Sequence, residues 1–234
     1  MYGLTVDANW SPDGVELAEL PPPVQIPGSE GTFAGGYVPI PGLPAPPTPI
    51  VFRHRTERSE PVRFEFKNLE SLIVVEFINA GGDERLRQFF ERRGLTAPGK
   101  YVLRDDVLQS QVQFRLMLQN TDDSAIVAVK TANDIIATHH GFNLRPTWHL
   151  AGQRGATHVT LKSTSLLGFM LMETSIAAAH DAHLATCEQC STAFLTGKST
   201  SRRATARFCS DRCRVAAMRA RQGEIKIGGD HVGS

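Results

Sequence analysis

The sequence predicts a mostly α protein of the α+β class, in which a helical domain with a small β-hairpin precedes a compact C-terminal module. Three observations support this. Apolar side chains recur at helical spacing through the middle of the chain. All four cysteines lie within residues 187–213. Eleven of the fourteen prolines lie between Pro12 and Pro49. The predicted units are an arm (1–58), a body (63–184), a C-terminal module (185–222) and a flexible tail (223–234).

The arm is predicted to be disordered because it is rich in proline and glycine. Proline removes a backbone donor, and glycine raises the entropy cost of ordering, so such a segment cannot build a core. Residues 39–49, PIPGLPAPPTP, favour extended polyproline II. We expect a linker or tail here, with a docking site for a protein partner as the alternative.

Most of the body is predicted to be helical. Residues 63–67 alternate apolar and polar side chains and predict a short strand. Helical periodicity and glycine stops then predict a series of helices. These helices cover residues 69–79, 83–93 and 105–118, and a further one runs from Asp122 or Asp123 to about Thr138.

The period then changes to that of strands. Residues 145–150 and 156–162 flank a Gly-Gln-Arg-Gly turn signal and predict a β-hairpin. Ser163 or Thr164 caps a long apolar helix that is predicted to reach about Leu184, close to the first cysteine.

The cysteines form the pattern C-x2-C, eighteen residues, then C-x3-C. Two close thiol pairs separated by such a loop are typical of a tetrahedral structural zinc site. The predicted Zn²⁺ ligands are Cys187, Cys190, Cys209 and Cys213. Two disulfides and a redox C-x-x-C are the alternatives. We prefer zinc because no secretory signal or βαβ pattern accompanies the cysteines.

The module around these cysteines is predicted to be a treble-clef-like finger. The first pair forms a knuckle, and Phe194 and Leu195 supply an apolar patch. Ser210 then caps a helix that reaches about Gln222 and carries the last cysteine in its first turn.

The finger is also basic. Residues 198–221 hold eight basic residues and one acid, Asp211, whereas the net charge of the whole chain is only +1. Such a patch is suited to phosphate contacts. The candidate nucleic-acid contacts are Arg202, Arg203, Arg207, Arg212, Arg214, Arg219 and Arg221. Arg214 and Arg219 are the candidates for base contacts, and the three arginines before the helix for backbone contacts.

The histidines are the remaining candidate ligands. His180 and His183 are three residues apart and could share a metal ion or supplement the cysteines. The other histidines considered are His139, His140, His149 and His158. No phosphate loop, nucleophile elbow, H-E-x-x-H or paired-carboxylate motif is recognisable, so we expect a protein that is not an enzyme.

Taken together, these features resemble the bacterial ABATE-domain proteins that carry a CGNR-type zinc finger, a family of proposed transcription regulators. The similar segments are EFINAGG (residues 76–82), LRQFFERRGL (86–95) and the finger. The family's Cys-Gly-Asn-Arg is Cys213-Arg214-Val215-Ala216 in this chain, and the last cysteine pair is one residue closer. The resemblance implies an ABATE-like body over residues 63–184 and a finger that contacts nucleic acid.

The expected function is therefore that of a DNA-binding transcriptional regulator, whose body senses a signal or forms a homo-oligomer. RNA binding is a variant of this hypothesis. The alternative is a protein-interaction or scaffold module with a purely structural zinc site. No apolar run approaches the length of a membrane span, so we expect no membrane partner and a cytoplasmic, nucleoid-associated protein.

Overall fold

The computed structural model describes residues 3–20, 48–55, 60–96, 101–119, 145–151, 156–163 and 165–227. Within these residues the chain forms an α+β fold. Its elements, in order, are β1 Gly3–Trp10, β2 Val15–Glu19, β3 Ile50–His54, β4 Glu60–Glu65, α1 Ile73–Asn79, α2 Asp83–Arg93, β5 Tyr101–Leu103, α3 Arg104–Leu118, β6 Arg145–Ala151, β7 Ala156–Ser163, α4 Leu166–Ala179, β8 His183–Thr186, β9 Ala193–Thr196 and α5 Asp211–Ile227.

The strands form three sheets within the described residues. The first has the order β4-β1-β7-β6, with β1 parallel to β7 and the other pairs antiparallel. The second is the antiparallel sheet β2-β3-β5, and the third is the hairpin β8-β9. The predicted hairpin is confirmed as β6-β7, and it forms one edge of a larger sheet. The predicted α+β class is confirmed, with more strand than the sequence indicated.

The prediction of a disordered arm is wrong for residues 3–20 and 48–55. These segments contain β1, β2 and β3, which pair with each other or with strands of the body. The prolines do not interrupt the hydrogen-bonded ladders, because Pro12 lies in the turn after β1 and Pro49 lies directly before β3. Residues 21–47, which hold most of the polyproline run, lie outside the described residues.

The predicted helices of the body agree well where the structure describes them. α2 has the predicted bounds and lies between Gly82 and Gly94, which adopt φ of 82° and 80°. α1 begins at Ile73, four residues later than predicted, and α3 begins at Arg104, one residue earlier. The helix predicted to follow α3 lies outside the described residues. None of the described helices has the length and hydropathy needed to cross a bilayer.

A buried carboxylate from α4 caps the start of α1. Leu72, the N-cap residue, offers no side-chain acceptor. Instead, Glu173 Oε1 accepts the N–H of Ile73 at 3.1 Å and Oε2 accepts that of Val74 at 2.8 Å. Burial raises the pKa of Glu173 to about 7, against the opposite effect of these two hydrogen bonds. The start of α1 is therefore fixed by a residue about a hundred positions away.

The core of the body is a cluster of phenylalanine rings that joins three helices to the second sheet. Phe52 of β3 is fully buried, and its ring centroid lies 5.0 Å from that of Phe90 in α2. Phe77 of α1 lies 5.3 Å from Phe89 and 6.2 Å from Phe114 of α3. Because Phe52 comes from the predicted arm, that segment is an integral part of the core.

The prediction that α4 extends to Leu184 is wrong. Asp181 adopts a left-handed φ of 51°, and its N–H donates to the carbonyl of Ala178 at 3.1 Å. The N–H of Ala182 donates to the carbonyl of Ala177 at 2.9 Å. These two bonds form a Schellman motif, which ends the helix and directs the chain into β8. The predicted boundary between body and finger, at residue 185, therefore falls inside β8.

The finger is docked on the body through α1. The side chain of Asn79, the last residue of α1, donates from Nδ2 to the carbonyl of Ala193 at 2.8 Å. Its Oδ1 accepts the N–H of the same residue at 2.7 Å. Ala193 is the first residue of β9. The Asn79 amide therefore satisfies both the N–H and the C=O of one residue in a strand of the finger.

A glycine makes a second close approach between the finger and the body. Gly197, directly after β9, adopts a φ of +141°. A Cβ at this position would lie 2.3 Å from the carbonyl oxygen of Asp181. Any residue larger than glycine would have to displace the backbone of Asp181. The finger therefore packs tightly against the turn that ends α4.

Candidate metal centre and cationic helix

The first cysteine pair lies in a knuckle between β8 and β9. The N–H of Cys187 donates to the carbonyl of Thr192 at 3.0 Å, and the N–H of Ser191 donates to the carbonyl of Cys187 at 2.9 Å. Ser191 adopts a left-handed φ of 58°, which returns the chain toward β9. This turn places Cys187 in the interior of the finger and Cys190 at its surface, and it confirms the predicted knuckle.

The second pair lies at the start of α5. Ser210 Oγ accepts the N–H of Cys213 at 3.3 Å, and the carbonyl of Ser210 accepts the N–H of Arg214 at 3.1 Å. Ser210 is therefore the predicted N-cap, and Cys213 lies in the first turn of the helix. α5 continues to Ile227, so the predicted end at Gln222 and the predicted tail from residue 223 are both wrong.

These two turns bring all four thiols together. The four sulfur atoms lie within 4.8 Å of one another. Cys190 Sγ is 3.5 Å from Cys209 Sγ and 3.7 Å from Cys213 Sγ, and the last two are 3.6 Å apart. A disulfide needs about 2.0 Å, so the cysteines are free. Sulfur atoms at the corners of a tetrahedron with metal–sulfur bonds of about 2.3 Å lie about 3.8 Å apart. The cluster therefore has the geometry of a four-thiolate metal site.

Hydrogen bonds within the finger lower the pKa of two of the thiols. Burial raises the pKa of the Cys187 thiol, but backbone N–H groups of Cys209, Cys190 and Gln189 outweigh burial and lower it to about 6. The hydroxyl and the backbone of Thr192 lower the pKa of Cys190, and the hydroxyl lies 3.2 Å from its sulfur. Burial and the neighbouring thiols raise the pKa of Cys209 to about 12. A cation at the centre would favour the thiolate at all four positions.

Two of the predicted nucleic-acid contacts make bonds within the finger. Arg202 is half-buried, donates to the carbonyl of Cys209, and lies with its guanidinium carbon 5.5 Å from the centroid of the Phe194 ring. Arg207 makes a two-bond ion pair with Glu188 of the knuckle. These arginines join the loop before α5 to the two halves of the metal site.

The other candidate arginines are exposed. Arg214 lies 3.1 Å from Asp211 one turn earlier in α5, and both side chains are mostly exposed, so this pair contributes little. Within the described residues, no ion pair is formed by Arg203, Arg212 or Arg219. Arg221 and Glu188 attract each other electrostatically. Of the seven candidates, Arg202 is thus held within the finger, and Arg207 is exposed but paired with Glu188. The other five face solvent, four of them on α5.

Among the residues that the structure describes, no histidine joins the cluster. His180 is the exposed C-cap residue of α4, and His183 begins β8. Neither belongs to the group of side chains that could share a metal ion. His149 and His158 lie opposite each other in the β6-β7 ladder. His139 and His140 lie outside the described residues.

Sequence reasoning missed the residues that support the site. Asn79 and Glu173 lie far from the cysteines in sequence, and no spacing relates them to the metal site. Thr192 and Glu188 could have been identified from the sequence, because both lie within two residues of Cys190. A hydroxyl and a carboxylate beside a knuckle thiol are suited to outer-shell roles.

No protein-family model, curated protein or solved structure matches this chain. The resemblance to ABATE-domain proteins therefore stays a prediction from sequence, and the geometry of the finger carries the functional argument.

Proposed function

We propose that the four cysteines hold one structural zinc ion and that the finger presents α5 to nucleic acid, in the first place duplex DNA, as part of a transcriptional regulator. One observation carries this proposal. The exposed arginines Arg212, Arg214, Arg219 and Arg221 lie on a helix whose first turn contains the metal-site residue Cys213.

Zinc is the metal that best suits the donor set. Four soft thiolates in a tetrahedral arrangement favour zinc or iron, and zinc is the usual occupant of closed structural sites. Four protein ligands leave no open coordination position for a substrate, so the ion would stabilise the fold of the finger. Within the finger, the knuckle and Ser210 would hold the thiols in place. Arg202 and Arg207 would connect the two halves of the metal site.

Nucleic acid is proposed as the partner because the positive charge is segregated. Residues 198–221 carry a net charge of +7, whereas the whole chain carries +1, so the rest of the chain carries −6. Arginine side chains that neutralise phosphates release condensed counterions, which supplies much of the affinity for DNA. The acidic remainder of the chain would be repelled by DNA, so contact should be confined to the finger.

The test is a fluorescence-anisotropy titration of the full chain with a 30-base-pair DNA duplex and with an RNA duplex at several salt concentrations. We expect affinity to fall steeply with salt, by about 0.9 in log–log slope for each DNA phosphate neutralised. The double variant R212A/R219A should reduce that slope by about two. The control R55A/R85A removes the same charge from two exposed positions outside the finger and should leave the slope unchanged.

The contrary outcome is equally clear. If neither duplex shows salt-sensitive binding, the nucleic-acid proposal fails and the protein-interaction module takes its place. Higher affinity for RNA than for DNA would keep the finger as the binding site but change the class of nucleic acid.

A further inference from the structure

The exposed surface of α5 has an apolar centre. Cys213 and Ala217 face the finger, and Ala217 is only 9% exposed. At 3.6 residues per turn, the opposite side of the helix carries Val215 and Met218. Val215 is 39% exposed and Met218 is 53% exposed. We call these two residues the apolar ridge.

The arginines of α5 form two rows, one on each side of this ridge. Arg212 and Arg219 are seven residues apart, and so are Arg214 and Arg221. Residues seven apart lie almost directly above one another on an α-helix. The first pair flanks the ridge beside Val215 and the second beside Met218, and all four side chains are exposed. Across its exposed face, the helix therefore presents one row of arginines, then the apolar ridge, then the second row of arginines.

We infer that the apolar ridge is the base-reading element of the finger, that it lies along the floor of the DNA major groove, and that it contacts the C5 methyl groups of thymine. This inference rests on the proposed function. The major groove is about 12 Å wide and accepts one α-helix. Phosphates line both of its edges, so one arginine row meets each strand. The thymine methyl is the apolar group that the major-groove edges of the bases offer, and it is read by apolar side chains.

The inference assigns Arg214 and Arg219 a role different from the one predicted from sequence. Both lie in the flanking rows, so they would contact phosphates and position the helix. Specificity would come from Val215 and Met218 instead. Their position between the two arginine rows, at the centre of the exposed face, is the observation that separates the two assignments.

A protein groove is a weaker candidate for this surface. A helix that docks in an apolar groove uses anchors over at least two turns, at i, i+3, i+4 and i+7. Among the α5 side chains that the structure describes, those of residues 211–222, the ridge supplies only two such anchors, and Ala216 is turned partly toward the finger. Two parallel cationic rows instead match two continuous rows of phosphates.

The experiment compares two 30-base-pair duplexes that differ only in the methyl group, alternating d(A-T) and alternating d(A-U). We expect the full-length protein to bind the thymine duplex about fourfold more tightly for each methyl group that it buries. V215A/M218A should abolish this preference. It should still fold, since both side chains are exposed and alanine is a good helix former. R212A/R219A should weaken binding to both duplexes and keep the preference.

The outcomes separate this inference from the proposed function. Equal, salt-sensitive binding of both duplexes by the unmodified protein overturns the inference and leaves the proposed function intact. A thymine preference that persists in V215A/M218A also overturns it. Binding of neither duplex, together with ridge-dependent binding of an acidic helical peptide, overturns both and assigns the surface to a protein partner.

Discussion

The amide of Asn79 provides the sharpest test of how the finger is attached to the body. Replacing Asn79 with alanine removes two hydrogen bonds, of 2.8 Å and 2.7 Å, to the backbone of Ala193. Each bond contributes about 1 kcal/mol net, and leaving the N–H and C=O of a buried residue unpaired costs more. We therefore expect N79A to lower the free energy of unfolding by roughly 2–4 kcal/mol.

The assay is urea denaturation of the full chain, combined with amide hydrogen exchange at Ala193. Exchange at this amide should accelerate strongly in N79A, because its acceptor is lost, while the metal content should stay the same. Gln88→Ala is a suitable control, since its exposed side chain makes one hydrogen bond, to Glu84 at 2.9 Å, and should change stability by less than about 0.5 kcal/mol. If N79A is no more destabilising than this control, the two Asn79 hydrogen bonds do not hold the finger on the body.

Two further substitutions test the packing around this junction. Because the pKa of Glu173 is raised to about 7, its contribution to stability is greatest below its ordinary pKa and is lost as the pH rises through about 7. The stability of the wild type relative to E173Q should therefore fall by up to about 3 kcal/mol between pH 4.5 and 8, and an identical difference in urea titrations at both pH values would refute this. Gly197→Ala should destabilise by roughly 1–3 kcal/mol, through a strained φ and a clash with Asp181. Gly81→Ala, which meets nothing within 4 Å, should be nearly neutral in thermal melts, and equal effects of the two substitutions would contradict the close approach.

The elements that could be predicted from sequence are those whose signals are local. α2 has acids in its first turn, arginines in its last turn and glycines at both ends, so its bounds follow from the chain itself. The cysteine spacing likewise predicted the cluster, because each pair is held by one tight turn. Ser210 could be identified as a cap from its position alone.

The pairing of the arm's strands could not be predicted because their partners are distant. β1 pairs with β7, more than 150 residues further on, and no local pattern records such a pairing. The number of prolines in the whole arm also did not show that Pro12 and Pro49 lie just outside the strands. The alternation of Leu4, Val6, Ala8 and Trp10 was a strand signal of period two that the composition outweighed.

The end of α4 was hidden for a different reason. Helices commonly end at a glycine in the left-handed conformation, but here Asp181 occupies that position. No glycine or proline separates α4 from β8, so the sequence favoured one long helix. The roles of Arg202 and Arg207 were hidden too, since their partners Cys209 and Glu188 come near only when the finger folds.

The claim on which the account depends is that four thiolates hold one ion and so fix the pose of α5. X-ray absorption at the zinc edge, with elemental analysis of the same sample, tests it most directly. We expect one zinc per chain with four sulfur ligands at about 2.3 Å. A sample without stoichiometric metal, or an ion with nitrogen or oxygen in its first shell, would contradict it.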